Sequence, residues 1–253
     1  MEGFLMSILN YIGLEYYSPT HILMLLAAPI IFCIFYFSLR NRTEKTKRVV
    51  LLCLAIFNAL IYIAYKIVMA FTFDVFIILK ELPLHLCNLN LILIPLAILT
   101  NNKLLMSYLY YVGLLAAFAG IMFFDSVFLG KNVFSFVVLV YFIYHAILLV
   151  FPLLLVSLKL FTPSLSYVWK ALVVLVSLAL IMHLVNLLFI HTGWCVEANY
   201  FYTMGMPDNP VLGMLMKLIP IPFLYYLPVA PVLYGFDVLI TLPQILIEKR
   251  KNK

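Results

Sequence analysis

The stretch Glu81–Asn90, ELPLHLCNLN, sets an imidazole (His85), a thiol (Cys87) and two carboxamides (Asn88, Asn90) within six positions. Thiols can attack carbonyls, imidazoles carry protons, and carboxamides donate hydrogen bonds. Further along stand His145, the pair His183 and Asn186 three residues apart, and the carboxyls of Asp125 and Asp237. All fall in or beside apolar runs, where unpaired polar groups are costly. Each has two readings. Ionisable side chains inside a bilayer face a bundle interior and mark functional sites by default. Yet a lone His serves equally as an interhelical hydrogen-bond partner, and Asn90 and Asn186 suit structural bridging. A free Cys in a helix packs as a small apolar residue, so spacing alone leaves Cys87 open between the two. Cys33 and Cys53 have no polar neighbours in sequence and read as inert, and Cys195 reads as a surface or packing thiol.

The elements that must position these groups follow from hydropathy. The chain has 253 residues, of which 66% are apolar and 10% charged, and its mean hydropathy is +1.15. No soluble domain of this size hides so much apolar surface, so an all-α, polytopic membrane bundle is expected, as one integral membrane domain over residues 1–253. Seven apolar segments are long enough to span: about His21–Leu39, Val49–Phe71, Pro83–Thr100, Leu104–Phe124, Val133–Leu160, Val168–His191 and Leu218–Ile247. The last carries Pro220, Pro222, Pro228, Pro231 and Pro243, which predicts a kink or an irregular start. A short interfacial helix is predicted over Phe4–Tyr16. Pro83 suits the first turn of span three. That register puts His85 and Asn88 on one face and Cys87 and Asn90 on the next.

The net charge of +6 comes from short basic clusters beside apolar runs, which speaks against nucleic acid as a partner. Four Cys without a CxxC pair indicate neither a disulfide framework nor a zinc site, and no metal or cofactor is expected. The cluster RNRTEKTKR after span one is cytoplasmic under the positive-inside rule. Counting from it, the N-terminus lies outside and the C-terminus in the cytoplasm of a cell membrane. The short loops and basic tail suit a bacterial plasma membrane. Span six leads into one long outer loop, HTGWCVEANYFYTMGMPDNP, whose length and aromatics suggest a lid.

The segments LPLHLCNLN, YFIYHAILLVFPL, and the Asn186 stretch leading to NYFYT and NP occur in that order from about Leu82 to the end. Together they resemble the YwaF family of bacterial integral membrane proteins, which is similar to the mammalian transmembrane protein 164 acyltransferase. The resemblance implies movement of an acyl chain from a phospholipid to a lysolipid or other acceptor through a Cys that matches Cys87. A more distant similarity is to membrane hydrolases of fatty-acid esters of hydroxy fatty acids. Those use a Thr in a stretch resembling LCNLNLIL and a His two helices later, which matches His145. The implied mechanism is a Cys–His acyltransferase, or an acyl-ester hydrolase if water is the acceptor. His145 ranks first as base and His183 second. His85, Asn88, Asn90, Asn186, Asn199 and Tyr200 are candidates for substrate binding or oxyanion stabilisation. Helix counting places His145 roughly 10 Å deeper than Cys87; a tilted span, or a start near Phe136, removes the mismatch. The rival class is a transporter or channel, favoured by the Pro-rich last span and Asp237. A haem protein with His145 and His183 as axial ligands and a scaffold are weaker alternatives.

Overall fold

A computed structural model describes residues 13–72, 78–124, 126–206 and 210–251. Apolar runs without water to satisfy their backbones become helices, and the described residues are helical with no strand. Helix α1 (Pro19–Leu25) starts where Ser18 accepts the His21 N–H and Pro19 takes the first position. It continues past Leu26 as α2 (Ala27–Leu39). Helix α3 (Glu44–Thr72) begins inside the basic cluster, where the Thr43 hydroxyl accepts the Thr46 N–H. Helix α4 (Leu86–Thr100) stops at Asn101, whose φ is 52°. Asn102 then caps α5 (Lys103–Tyr108), accepting from the N–H groups of Leu104 and Leu105. A π-turn over Leu109–Gly113 joins α5 to α6 (Leu114–Met122). Next come α7 (Phe136–Ser157), α8 (Leu165–His191), α9 (Pro210–Leu218) and α10 (Val229–Lys251).

Six of these runs are long and apolar enough to cross a membrane, and α4 adds a shorter apolar helix of 15 residues. At 1.5 Å per residue α4 is about 22 Å long, against about 30 Å of hydrocarbon. Helix α7 is apolar on every side and buried along most of its length, as a central helix must be. It packs against α2, α3 and α6. The outer faces of α2, α3 and α8 expose Ile30, Ile34, Phe37, Phe57, Leu60, Val173 and Leu184, the pattern of side chains that meet lipid.

Polar contacts concentrate at the two ends of the bundle. At the basic end, Lys47 Nζ donates to the Leu158 carbonyl and Arg48 to Asn101 Oδ1. At the opposite end, Lys66 pairs with Glu81, Lys80 with Glu197, and the Tyr200 hydroxyl bonds to the Leu79 carbonyl. Leu14 pairs there with the loop before α7, through the Lys131 carbonyl and the Gly130 N–H.

Three expectations change in detail. Pro83 does not open α4. The chain turns through Ile78–Leu84, held by backbone bonds and by the Lys66–Glu81 pair, and His85 caps the helix in extended backbone. His85 and Asn88 therefore do not share a helix face. The last span has the expected irregular start, with Phe223 at φ 65° and a 3-10 turn at Leu224–Tyr226; the short α9 before it was not expected. Most of the predicted Phe4–Tyr16 helix lies outside the described residues, and its final residues, 13–16, are extended and turning rather than helical. Asp125 also lies outside them.

Candidate active site

Two glycines let α4 approach the π-turn and α6. A Cβ on Gly113 would stand 3.1 Å from Asn90 Nδ2. One on Gly120 would stand 2.8 Å from both Cδ2 and Nε2 of His145, and 3.8 Å from Cys87 Sγ. The Cys87–Asn90 face of α4 thus lies against the Gly113–Gly120 face of its neighbours. The separation of thiol and imidazole cannot exceed two of those Gly120 distances laid end to end.

This meeting removes the depth mismatch expected from helix counting. Helix α7 begins at Phe136 rather than Val133, and α4 begins only after the Ile78–His85 turns. Cys87 is the second residue of its helix and His145 the tenth of its own, yet both touch the space at Gly120.

The hydrogen bonds of His145 decide its tautomer. Nδ1 is 3.0 Å from the Tyr141 carbonyl, which can only accept, so Nδ1 carries the proton. Nε2 is then the lone-pair side, the form a general base requires. Nε2 meets the Tyr144 hydroxyl at 3.2 Å, and the same hydroxyl stands 3.4 Å from Asn88 Oδ1. The ring is held by Tyr141 and Tyr144, with centroids 4.3 and 4.0 Å away. Tyr62 and Tyr65 of α3 pack on Tyr144 in turn, and Tyr141 donates to the Gly120 carbonyl at 2.8 Å. Cys87 is half-buried, and its thiol donates to the Ala116 carbonyl at 3.4 Å. Asn90 sits deeper against Gly113, with Oδ1 buried and bonded to no described residue.

The remaining sequence candidates form a second group. Asn186 is buried on α8. Its Oδ1 accepts the Tyr200 N–H at 2.8 Å, and its Nδ2 donates to the Tyr200 carbonyl and to Thr203 Oγ1 at 2.9 and 3.0 Å. His183 Nδ1 stands 3.1 Å from the same Thr203 hydroxyl, with its ring on Phe223. Asn199 accepts the Met204 N–H and donates to the Gly205 carbonyl. The Tyr200–Tyr202 turn that these bonds hold places Phe201 and Tyr202 at φ 56° and 57°, backbone that a bulky residue keeps only when its surroundings over-determine it. Tyr200 is pushed up to about 12 by burial, so its hydroxyl stays neutral at physiological pH. His85, which precedes α4, packs on the loop, with its ring centroid 5.6 and 5.1 Å from those of Tyr200 and Tyr202.

So Cys87, Asn88 and His145 meet in one cluster, while His183, Asn186, Asn199 and Tyr200 tie down the loop. Against known proteins, residues 16–240 match the TMEM164 family. The chain belongs to the TMEM164 family. No curated protein and no solved structure matches it. Membership of the TMEM164 family agrees with a multi-pass membrane protein. Within this member of the family, Tyr144, Gly120 and Thr203 join the clusters without having been singled out in the sequence. Tyr144 adjoins His145, and Thr203 closes the NYFYT segment. Gly120 is one small residue in an apolar helix, and its importance emerges only from what lies opposite. Cys33 and Cys53 are exposed on the apolar surface and Cys195 is buried within the loop.

Proposed function

We propose that this chain is a membrane-embedded lipid acyltransferase that carries a fatty acyl group on Cys87. The observation that carries this reading is the convergence of the Cys87 sulfur and the lone-pair nitrogen of His145 on the space beside Gly120. His145 takes the thiol proton, the sulfur attacks the ester carbonyl of a phospholipid, and the lysolipid leaves with that proton. The hydroxyl of a lysolipid or other acceptor then collects the acyl group by the reverse steps; water in that role would make the protein an acyl-ester hydrolase. We read the bundle end bearing the Tyr200 loop as the outer face of a cell membrane, with the basic clusters cytoplasmic. His183, Asn186, Asn199 and Tyr200 then act through the loop that covers the site.

The test is acyl exchange between labelled phospholipid and lysolipid by purified protein in liposomes. Wild type should transfer label and yield a Cys87 thioester by mass spectrometry, and Cys87→Ala should do neither. Full transfer by Cys87→Ala would remove the covalent mechanism. A transport role has one observation in its favour: Asp237 is fully buried on α10, with neither carboxyl oxygen bonded to a described residue.

A further inference from the structure

One hydroxyl stands before two acceptors in the cluster. The Tyr144 O–H lies 3.2 Å from His145 Nε2 and 3.4 Å from Asn88 Oδ1. It has a single proton to divide between them, so a strong bond to one acceptor comes at the expense of the other. The thiol of Cys87, meanwhile, points its proton to the Ala116 carbonyl. Base and nucleophile are therefore neighbours that do not bond to each other: the lone pair is capped by a phenol and the thiol proton is turned away. Tyr144 is 4% exposed and Asn88 6%. Its ring is packed by Tyr62, Tyr65, Tyr141 and His145, so the phenol is confined to this corner.

Resting on the acyl-enzyme reading above, we propose that Tyr144 is a two-position donor that latches the site when empty and serves the reaction when substrate is bound. In the empty site its hydroxyl caps His145 Nε2, and Cys87 stays a thiol. An ester carbonyl placed beside Cys87 is a third acceptor for the same proton. When Tyr144 donates to that carbonyl oxygen, Nε2 is uncovered and takes the Cys87 proton. The sulfur pair forms the S–C bond, and the carbonyl π pair moves onto oxygen, where Tyr144 holds it. On collapse the ester C–O bond breaks, and the leaving alkoxide takes the proton from Nε2. Thioester and lysolipid remain, and Tyr144 keeps its own proton throughout. Asn88 Oδ1 is the parking position that lets the phenol leave His145 without becoming an orphan donor. The thiol is thereby activated chiefly when an ester is in place, which spares it from side reactions in the empty protein.

Two readouts that move in opposite directions test this. Tyr144→Phe keeps the ring and removes the hydroxyl. Labelling of Cys87 by N-ethylmaleimide in the absence of lipid, followed at that residue by mass spectrometry, should become several-fold faster because the base is uncovered. Acyl transfer should fall about 10²-fold in kcat through loss of the oxyanion donor, with KM changed little. Asn88→Ala removes the parking position, so its Cys87 labelling should be slower than wild type, and the double variant should label like Tyr144→Phe. A merely structural hydroxyl would move labelling and transfer in the same direction. Unchanged or slower labelling in Tyr144→Phe overturns the latch, and wild-type transfer by that variant overturns the donor role. If Tyr144→Phe does not fold, unchanged or faster labelling in Asn88→Ala overturns the latch instead. Labelling reports thiol reactivity without lipid, so these outcomes are separable from failure of the acyl-enzyme itself, which would appear as full transfer by Cys87→Ala.

Discussion

Gly120 lies so close to His145 that a methyl group there would stand 2.8 Å from the imidazole Cδ2 and Nε2. The ring cannot simply turn aside. Nδ1 is bonded to the Tyr141 carbonyl, and the rings of Tyr141 and Tyr144 pack on it. Gly120→Ala should therefore displace a held imidazole. Overpacking of this kind costs about 1–3 kcal/mol of stability, and a displacement near 1 Å at a reacting group can cost about 10²-fold in rate. Gly113→Ala is the milder partner, since its methyl would meet Asn90 Nδ2 at 3.1 Å. Thermal unfolding together with acyl transfer should rank Gly120→Ala as the more damaging of the two; the reverse order would contradict the packing described here.

The two histidines should separate kinetically. On the acyltransferase reading proposed above, His145→Ala removes the base and should lower kcat by about 10²–10⁴-fold. His183 bonds to Thr203 in the loop cluster, so His183→Ala should act mainly on KM by loosening the cover of the site. Steady-state kinetics of both variants decide this. A kcat loss in His183→Ala equal to that of His145→Ala would transfer the base role to His183.

Asn186 saturates both backbone groups of Tyr200 as well as the Thr203 hydroxyl. Asn186→Ala leaves the buried Tyr200 N–H without its acceptor, while the Tyr200 carbonyl keeps the Thr203 N–H and the Thr203 hydroxyl keeps His183, and should cost about 1–3 kcal/mol. The strained Phe201 and Tyr202 backbone should relax once the clamp is gone. Limited proteolysis should then cut within residues 192–206, where wild type resists. Equal resistance in the variant would mean that Asn199 and the other bonds hold the loop alone.

The Lys80–Glu197 pair, 2.7 Å apart, ties this loop to the stretch before α4. The hydrogen bond and charge of Lys80 hold the exposed Glu197 carboxyl below its ordinary 4.5. A folded-state pKa below the unfolded one means that the tether is fully present above pH 4.5 and is lost as pH falls through the lowered value. As an exposed pair it contributes little, so a local probe suits it better than global unfolding. Trp169→Phe leaves Trp194 as the single Trp. Emission of Trp194 should change with acidification through that range. Adding Glu197→Gln should give the acid-form spectrum at every pH, and an unchanged titration would rule the pair out as the tether.

The sequence by itself determined that the chain is a helical membrane bundle. Hydropathy is a local, additive property, and a backbone without water has few ways to satisfy its polar groups. The motifs around Cys87 and His145 also marked those two residues before any coordinates. What only the tertiary structure decided is how they meet. The turns at Ile78–His85 set where α4 begins, and the start of α7 at Phe136 sets which residue reaches the same level. Gly120 became a site residue only because Cys87 and His145 stand opposite it. Asn186 was drawn to the loop because backbone groups of Tyr200 needed partners there, and His183 because it meets the Thr203 hydroxyl. Tyr144 joined the cluster because its hydroxyl falls between Nε2 of His145 and Oδ1 of Asn88. Helical periodicity tells which face a side chain takes on its own helix; the depth, rotation and spacing of one helix against the next come from packing between segments far apart in the chain.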